Sequence, residues 1–318
     1  MRKRRYLGCS FPLLISIAVV FLVLLLLGFA SGPLGKSMLG NVSLPSWLSV
    51  AQPHPKLPAE VVFHVFGIPI TNSIIGAWLT IIVLVVFSYV VTRRSRLVPR
   101  RWQALLEFLV GALLNFCQSV AGEKNGRRFF PIVATIFLFV AFNAWLSLLP
   151  GFGSITIHTA EGETHLLRGA NTDINVPLAL ALVSFVFVTF FGLRSLGVRF
   201  ISKFINVGKF FGGLRQLFKG NLKGGLSGLF IGVIDIFIGF VELLSYLIRI
   251  VSFTFRLFGN MTAGEILLLM ATFLIPFVFA IPFYGLEILV GFVQALIFAG
   301  LTLIFLTVAV ASHESEQH

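Results

Sequence analysis

Ser252-Phe253-Thr254-Phe255-Arg256-Leu257-Phe258-Gly259-Asn260-Met261-Thr262-Ala263-Gly264-Glu265 is the stretch on which the fold turns. It sets an arginine, an asparagine and a glutamate in a run that is otherwise largely apolar from Leu229 to Met270. A guanidinium stays protonated at physiological pH. At the centre of a bilayer it costs roughly 3 kcal/mol on insertion scales, so an intramembrane charge of this kind is read first as functional.

Composition supports a membrane setting. Of 318 residues, 57% are hydrophobic and only 11% charged, against about 25% charged in soluble domains. Mean hydropathy is +0.99. Phenylalanine (36 residues) far outnumbers tyrosine (four), as lipid-facing surfaces allow. A globular enzyme is excluded on these grounds. Cys9 and Cys117 are too few and too far apart to suggest a disulfide framework or a metal site. No Walker, dinucleotide or nucleophile-elbow motif is present, and no cofactor is expected.

The net charge of +12 raises nucleic acid as a partner, but the distribution argues against it. Basic residues cluster at Arg2–Arg5, Arg93–Arg128 and Arg194–Lys223, with 4, 8 and 7 in turn. The segments between hold Lys36 and Lys56, then Arg168 alone. That asymmetry is the positive-inside signal of a multi-pass protein. It places both termini in the cytoplasm and the basic loops against anionic lipid heads.

Six membrane-embedded helices are expected in an all-α integral membrane protein. The first apolar run, Leu7 to Ala30, follows four basic residues and reads as a retained span, with a signal peptide as the competing reading. An external segment, 31–71, is rich in Pro, Gly and Ser, and 58–66 is placed along the interface. Spans follow at 72–92, 129–149 and 176–193. Residues 102–120 read as an amphipathic surface helix. A basic, glycine-rich cytoplasmic loop is expected over 194–228. Leu229 to Thr272 is too long for one perpendicular span, since 44 helical residues reach about 66 Å across a core of about 30 Å. No Gly or Pro stands where a turn would be needed. Two long, steeply tilted helices over 229–311, joined near Pro276 to Pro282, are therefore expected.

Asp235, Glu242, Arg249 and Arg256 recur every seven residues, a step that drifts by only about 20° on a helix. With Ser245, Ser252 and Asn260 they form one stripe. It is either a wetted polar track facing a cavity or partner, or a set of internal ion pairs. Glu265 points to the other side, and its partners are expected on the last helix. A hairpin there brings Glu265 near Glu287 and Arg256 near Gln294. The two carboxyl groups can relay a proton, or serve only as an interhelical hydrogen bond. Asn143 and Ser147 on span three, with Asp173 and Asn175 before span four, can line an entry from outside; capping alone also explains the last two.

The segment RLFGNMTAGE (256–265) resembles the signature of the a subunit of F-type ATP synthases. PIVATIFLFVAFNAWLSLLPG (131–151), ANTDINVPLALAL (170–182) and GFVQALIFAGLTLIFLTVA (291–309) are similar to other family segments in the same order. The resemblance runs roughly from Glu60 to Ala311. It implies a proton-channel stator subunit beside a rotating c-ring, with b subunits, a peripheral stalk and the rest of the complex as partners, in a bacterial plasma membrane. It implies that Arg256 faces the c-ring carboxylate. Asn260, Glu265, Glu287 and Gln294 border an outer half-channel, Glu242 belongs to the cytoplasmic one, and Asn143, Asp173 and Asn175 lie along proton access routes. Ser147, and Asp235 and Arg249 of the polar stripe, are counted with them as access-channel lining. Two departures stand out: Ser147 where an aspartate is frequent in relatives, and Glu287 where many carry histidine. A proton-coupled secondary transporter and a non-transporting scaffold are the alternatives. The inverted repeats and midplane breaks of many transporters are not evident.

Overall fold

The computed structural model describes residues 5–6, 9–39, 58–93, 102–149, 151–159, 162–197, 200, 208–218 and 222–311. Arg2 to Arg4, Lys56 with most of the external segment, Glu161, and much of the basic loops lie outside the described residues.

Helices dominate: α1 (Phe11–Ser31), α2 (Pro33–Leu39), α3 (Asn72–Arg93), α4 (Trp102–Ser147), α5 (Asn175–Leu196), α6 (Gly208–Phe218), α7 (Leu222–Leu274) and α8 (Ile281–Ala311). Five of them are long and apolar enough to cross a membrane: α3, α4, α5, α7 and α8; α1 holds a shorter apolar stretch, Ile15–Ser31. The chain is an all-α membrane protein.

Several boundaries shift from the sequence reading. Residues 61–71 form an antiparallel hairpin, β1 (Val61–Val65) with β2 (Ile68–Thr71), turned through Phe66 and Gly67 at positive φ. A second hairpin, β3 (Thr156–Thr159) with β4 (Gly162–His165), fills the loop after α4. The amphipathic helix and span three run on as α4, broken at Gly122, where φ is 78° and ψ 166°. Only glycine takes that conformation without strain. The loop expected over 194–228 contains α6, and α7 begins at Leu222 rather than Leu229.

The long helix is uninterrupted. At 53 residues its axis extends about 80 Å. Residues 275–280 make the turn into α8, so 222–311 is a hairpin of two helices, not four spans.

The chain divides into two compact units. Unit 1 gathers residues 1–76, 144–173 and 259–293. In it Gly28 of α1 and Gly32, just after its end, lie against the backbone carbonyls of Pro276 and Leu274, leaving no room for a Cβ. Gly291 of α8 sits against Ala144, and the Trp145 indole donates to the Ile288 carbonyl at 3.2 Å. Unit 2 gathers 77–143, 174–258 and 294–318. Its core includes Phe129, Phe137, Val140, Leu257, Leu303 and Leu306, all fully buried. Phe253 packs on Phe298 at a ring separation of 4.8 Å, and Ser184 hydrogen bonds Thr302 at 2.9 Å. Along α7 the buried positions Gly225, Gly232, Gly239, Tyr246 and Phe253 repeat every seven residues, and the polar stripe flanks them three residues on.

Gly122→Ala forces a side chain into a glycine-only region, a penalty of about 1–3 kcal/mol. Thermal denaturation of the purified chain followed by circular dichroism is expected to show a lower midpoint for this variant.

Candidate functional site

Unit 1 holds an acidic site on the outer part of the α7–α8 hairpin. Glu287 of α8 is buried, and its carboxylate lies directly over Gly264 of α7. Any larger residue at 264 meets that carboxylate, so the close helix approach depends on glycine. Glu265, the next residue, points elsewhere. Its Oε2 accepts from Arg168 Nη2 at 3.1 Å. The partner of Glu265 was expected on the last helix; its ion-pair partner is instead Arg168, in the loop before α5. Hairpin closure does bring Glu287 to the Glu265 turn, but it seats it on the neighbouring Gly264.

Around this pair lies a polar network that composition could not reveal. Asn72 Nδ2 donates to the His165 carbonyl at 3.2 Å, and the Asn72 side-chain oxygen accepts from Glu60 N–H at 3.3 Å. His165 N–H donates to Glu60 Oε2 at 3.1 Å. Ser73 Oγ donates to Asp173 Oδ2 at 2.7 Å, both residues being buried. Asp173 is thus engaged across to the start of α3, and the N-cap residue of α5 is Ile174, which makes no side-chain cap hydrogen bond. Ser147 Oγ turns back to the Ala144 carbonyl at 2.7 Å, and Gly169 packs against its Cβ. Asn260 is exposed.

The remaining residues belong to unit 2. Arg256 is half-buried, with Nη2 3.4 Å from Ser252 Oγ one turn earlier. Gln294 is buried. Arg249 lies over the Phe305 ring at 3.5 Å and the Tyr246 ring at 4.6 Å. Its charge lies against aromatic faces, as cation–π geometry allows. A small cavity beside it is lined by Ser184, Tyr246, Arg249 and Phe305 among others. Asp235 is half-buried, while Glu242 and Asn175 are exposed. Asn143 is buried and donates through Nδ2 to Thr80 Oγ1 at 2.9 Å. Of the expected access residues, Ser147 and Asp173 belong to unit 1, Asn143 and Asn175 to unit 2.

Residues 74–307 match the family model described as ATP synthase A chain. The chain belongs to that family. Curated relatives agree with this ATP synthase A chain assignment. "ATP synthase subunit a" of Desulfosudis oleivorans is 32% identical over 257 residues, covering 79% of this chain and 95% of the relative. Its namesake in Gloeobacter violaceus is 30% identical over 243 residues, 76% of this chain and 85% of that one. The Moorella thermoacetica protein is 27% identical over 256 residues, with 80% and 98% covered. The matched region holds the second hairpin, Arg168, Glu265, Glu287 and the whole α7–α8 turn. As an ATP synthase A chain, the protein is a multi-pass component of the ATP synthase complex.

Arg168, Gly264, Ser73 and Thr80 were not singled out from sequence as site residues. Arg168 did leave a signal: it is the lone basic residue between two apolar spans in the 129–193 stretch. Gly264→Ala is expected to displace the Glu287 carboxylate and slow ATP-driven proton uptake about tenfold, read as dye quenching in inverted membrane vesicles, with assembly of the complex unchanged.

Proposed function

We propose that the chain conducts protons through two offset half-channels against a rotating c-ring and thereby couples a proton gradient to ATP synthesis. The observation that carries this is Arg256. It is a permanent cation on the half-buried flank of a largely apolar helix, in a chain of the ATP synthase A family. A charge there is unfavourable unless an opposite charge visits it.

In this reading a proton enters from outside by way of Glu265 and Glu287. It neutralises a carboxylic acid of the c-ring, which then crosses lipid without the ionic penalty. After nearly a full turn the acid meets the cytoplasmic path along Glu242, with Arg249 above it and Asp235 below it on the same stripe, and releases its proton. Arg256 lies between these groups along α7. Its charge favours the ionised ring carboxylate and opposes direct proton leakage. Asn260 and Gln294 border the exchange position. Asn143, Ser147, Asp173 and Asn175 are assigned to access routes. Each proton crossing 100 mV supplies about 2.3 kcal/mol, which the rotor carries away.

The chain does no covalent chemistry itself in this account. Its partners are the c-ring, the b subunits of the peripheral stalk and lipid, with both termini on the cytoplasmic side of a bacterial plasma membrane. Residues 72–318 form the proton-channel domain, preceded by an N-terminal helix over 1–30 and an external segment over 31–71. Both long helices tilt steeply across the ring. Nothing in the fold or the relatives favours a secondary transporter.

Arg256→Ala is expected to abolish ATP-driven proton pumping, with the complex still assembled on native gels. Arg256→Lys keeps the charge but loses the planar fork, and is expected to leave at most a few per cent of the rate. Pumping at the normal rate in Arg256→Ala refutes the proposal.

A further inference from the structure

Arg168, the one Lys or Arg in the loop between α4 and α5, is also the ion-pair partner of Glu265 among the described residues. Its side chain is 10% exposed, that of Glu265 37%. A pair this enclosed roughly breaks even in stability against apolar replacements. Stability alone is a weak reason to carry it.

The backbone around Arg168 is fixed from several directions. Gly76 of α3 abuts the Arg168 carbonyl so closely that no Cβ fits between them. Thr172 Oγ1 donates back to the Gly169 carbonyl at 2.8 Å, and Ala170, Asn171 and Thr172 are buried. Asp173 is tied to Ser73. The guanidinium then spends its two terminal nitrogens on different acceptors: Nη1 on the Pro58 carbonyl at 3.1 Å and Nη2 on Glu265 Oε2 at 3.1 Å. A planar fork can serve two acceptors at once, where an ammonium on a flexible stem holds them less firmly. A buried cation on so constrained a loop is preorganised, so little is lost in ordering it against the carboxylate.

We propose that Arg168 is a positioning residue for proton entry: docked from the α4–α5 loop, its guanidinium fixes the orientation and supplies the counter-charge of the Glu265 carboxylate. The idea rests on the reading that Glu265 carries protons. Arg168 touches neither the ring nor Arg256 in this role; it acts through Glu265. Pro58 and the first hairpin are drawn into the same arrangement, so the external segment helps to aim the entry carboxylate. Glu287 faces the same turn of α7 from α8 and is the second titratable group at the site.

The test uses the assembled ATP synthase in inverted membrane vesicles, with rates divided by the amount of intact complex on native gels. The variants are Arg168→Gln, Arg168→Lys, Glu265→Gln and the double Arg168→Gln/Glu265→Gln. Arg168→Gln is expected to lower ATP-driven pumping, and passive proton flow through the stripped membrane sector, about fivefold. Arg168→Lys is expected to lie between that value and the unmodified rate. If Arg168 acts through Glu265, the double variant is no slower than Glu265→Gln, because residues in direct contact are not additive. A purely structural role predicts that the two losses multiply. An unchanged rate in Arg168→Gln, or multiplied losses in the double, overturns the proposal. Should Arg168→Gln fail to assemble, Arg168→Lys and the double variant, which leaves no buried charge unpaired, decide by the same criteria. Arg256→Ala measured alongside separates the two readings: lost pumping there with normal rates in Arg168→Gln sinks this inference alone.

Discussion

A guanidinium cannot lose its proton to escape an apolar surrounding, and the α7 backbone has no spare acceptor to offer it. Arg256 receives one serine hydroxyl at 3.4 Å, a thin compensation for a full charge. Most of the architecture makes sense as the means of holding that cation in place while leaving one flank open. The seven-residue seam of Gly225, Gly232, Gly239, Tyr246 and Phe253 lets α7 pack tightly along one edge. Phe253 is locked against Phe298 and Phe305 of α8. Arg256, three residues beyond the seam, is therefore fixed in azimuth without being covered.

The two arginines of the stripe meet different fates. Arg249 is stacked on two aromatic rings and closed in beside Ser184, while Arg256 has a hydroxyl and an open side. Cation–π contact can stabilise a charge by about 0.5–2 kcal/mol without neutralising it. Arg249 can thus remain in an apolar surrounding as a fixed positive field, and Arg256 remains the cation free to meet a passing anion. The acids are likewise divided. Glu287 is pressed onto Gly264, and Glu265 is held by a loop arginine. Each is restrained by a different element, Glu287 by the close approach of α7 and Glu265 by the loop before α5.

Much of this was legible in the sequence because the membrane simplifies the code. Hydropathy fixed the spans at α3, α5 and α8 within a few residues, and the absence of Gly or Pro from Ile250 to Phe258, where a turn would be needed, correctly implied one long helix rather than two. The heptad spacing located the polar stripe. What stayed hidden depended on contacts distant in sequence. Arg168 and Glu265 are 97 residues apart, and no local pattern pairs them. The Ser73–Asp173 and Asn143–Thr80 bonds are of the same kind. The hairpins at 61–71 and 156–165 were missed because short two-stranded segments carry little periodicity. The separation of 102–120 from 129–149 was legible, and the break at Gly122, with its positive φ, falls in the gap between them.

The most direct measurement is disulfide cross-linking in native membranes. Single cysteines at Ser252 and Asn260, which flank Arg256 on its open side, are paired with cysteines placed near the ion-carrying carboxyl of the c subunit, in a background lacking Cys9 and Cys117. The account predicts oxidant-dependent products joining the two subunits at both positions, and none from a cysteine at Phe253 on the packed seam. Products from the seam position, with none from Ser252 or Asn260, contradict it.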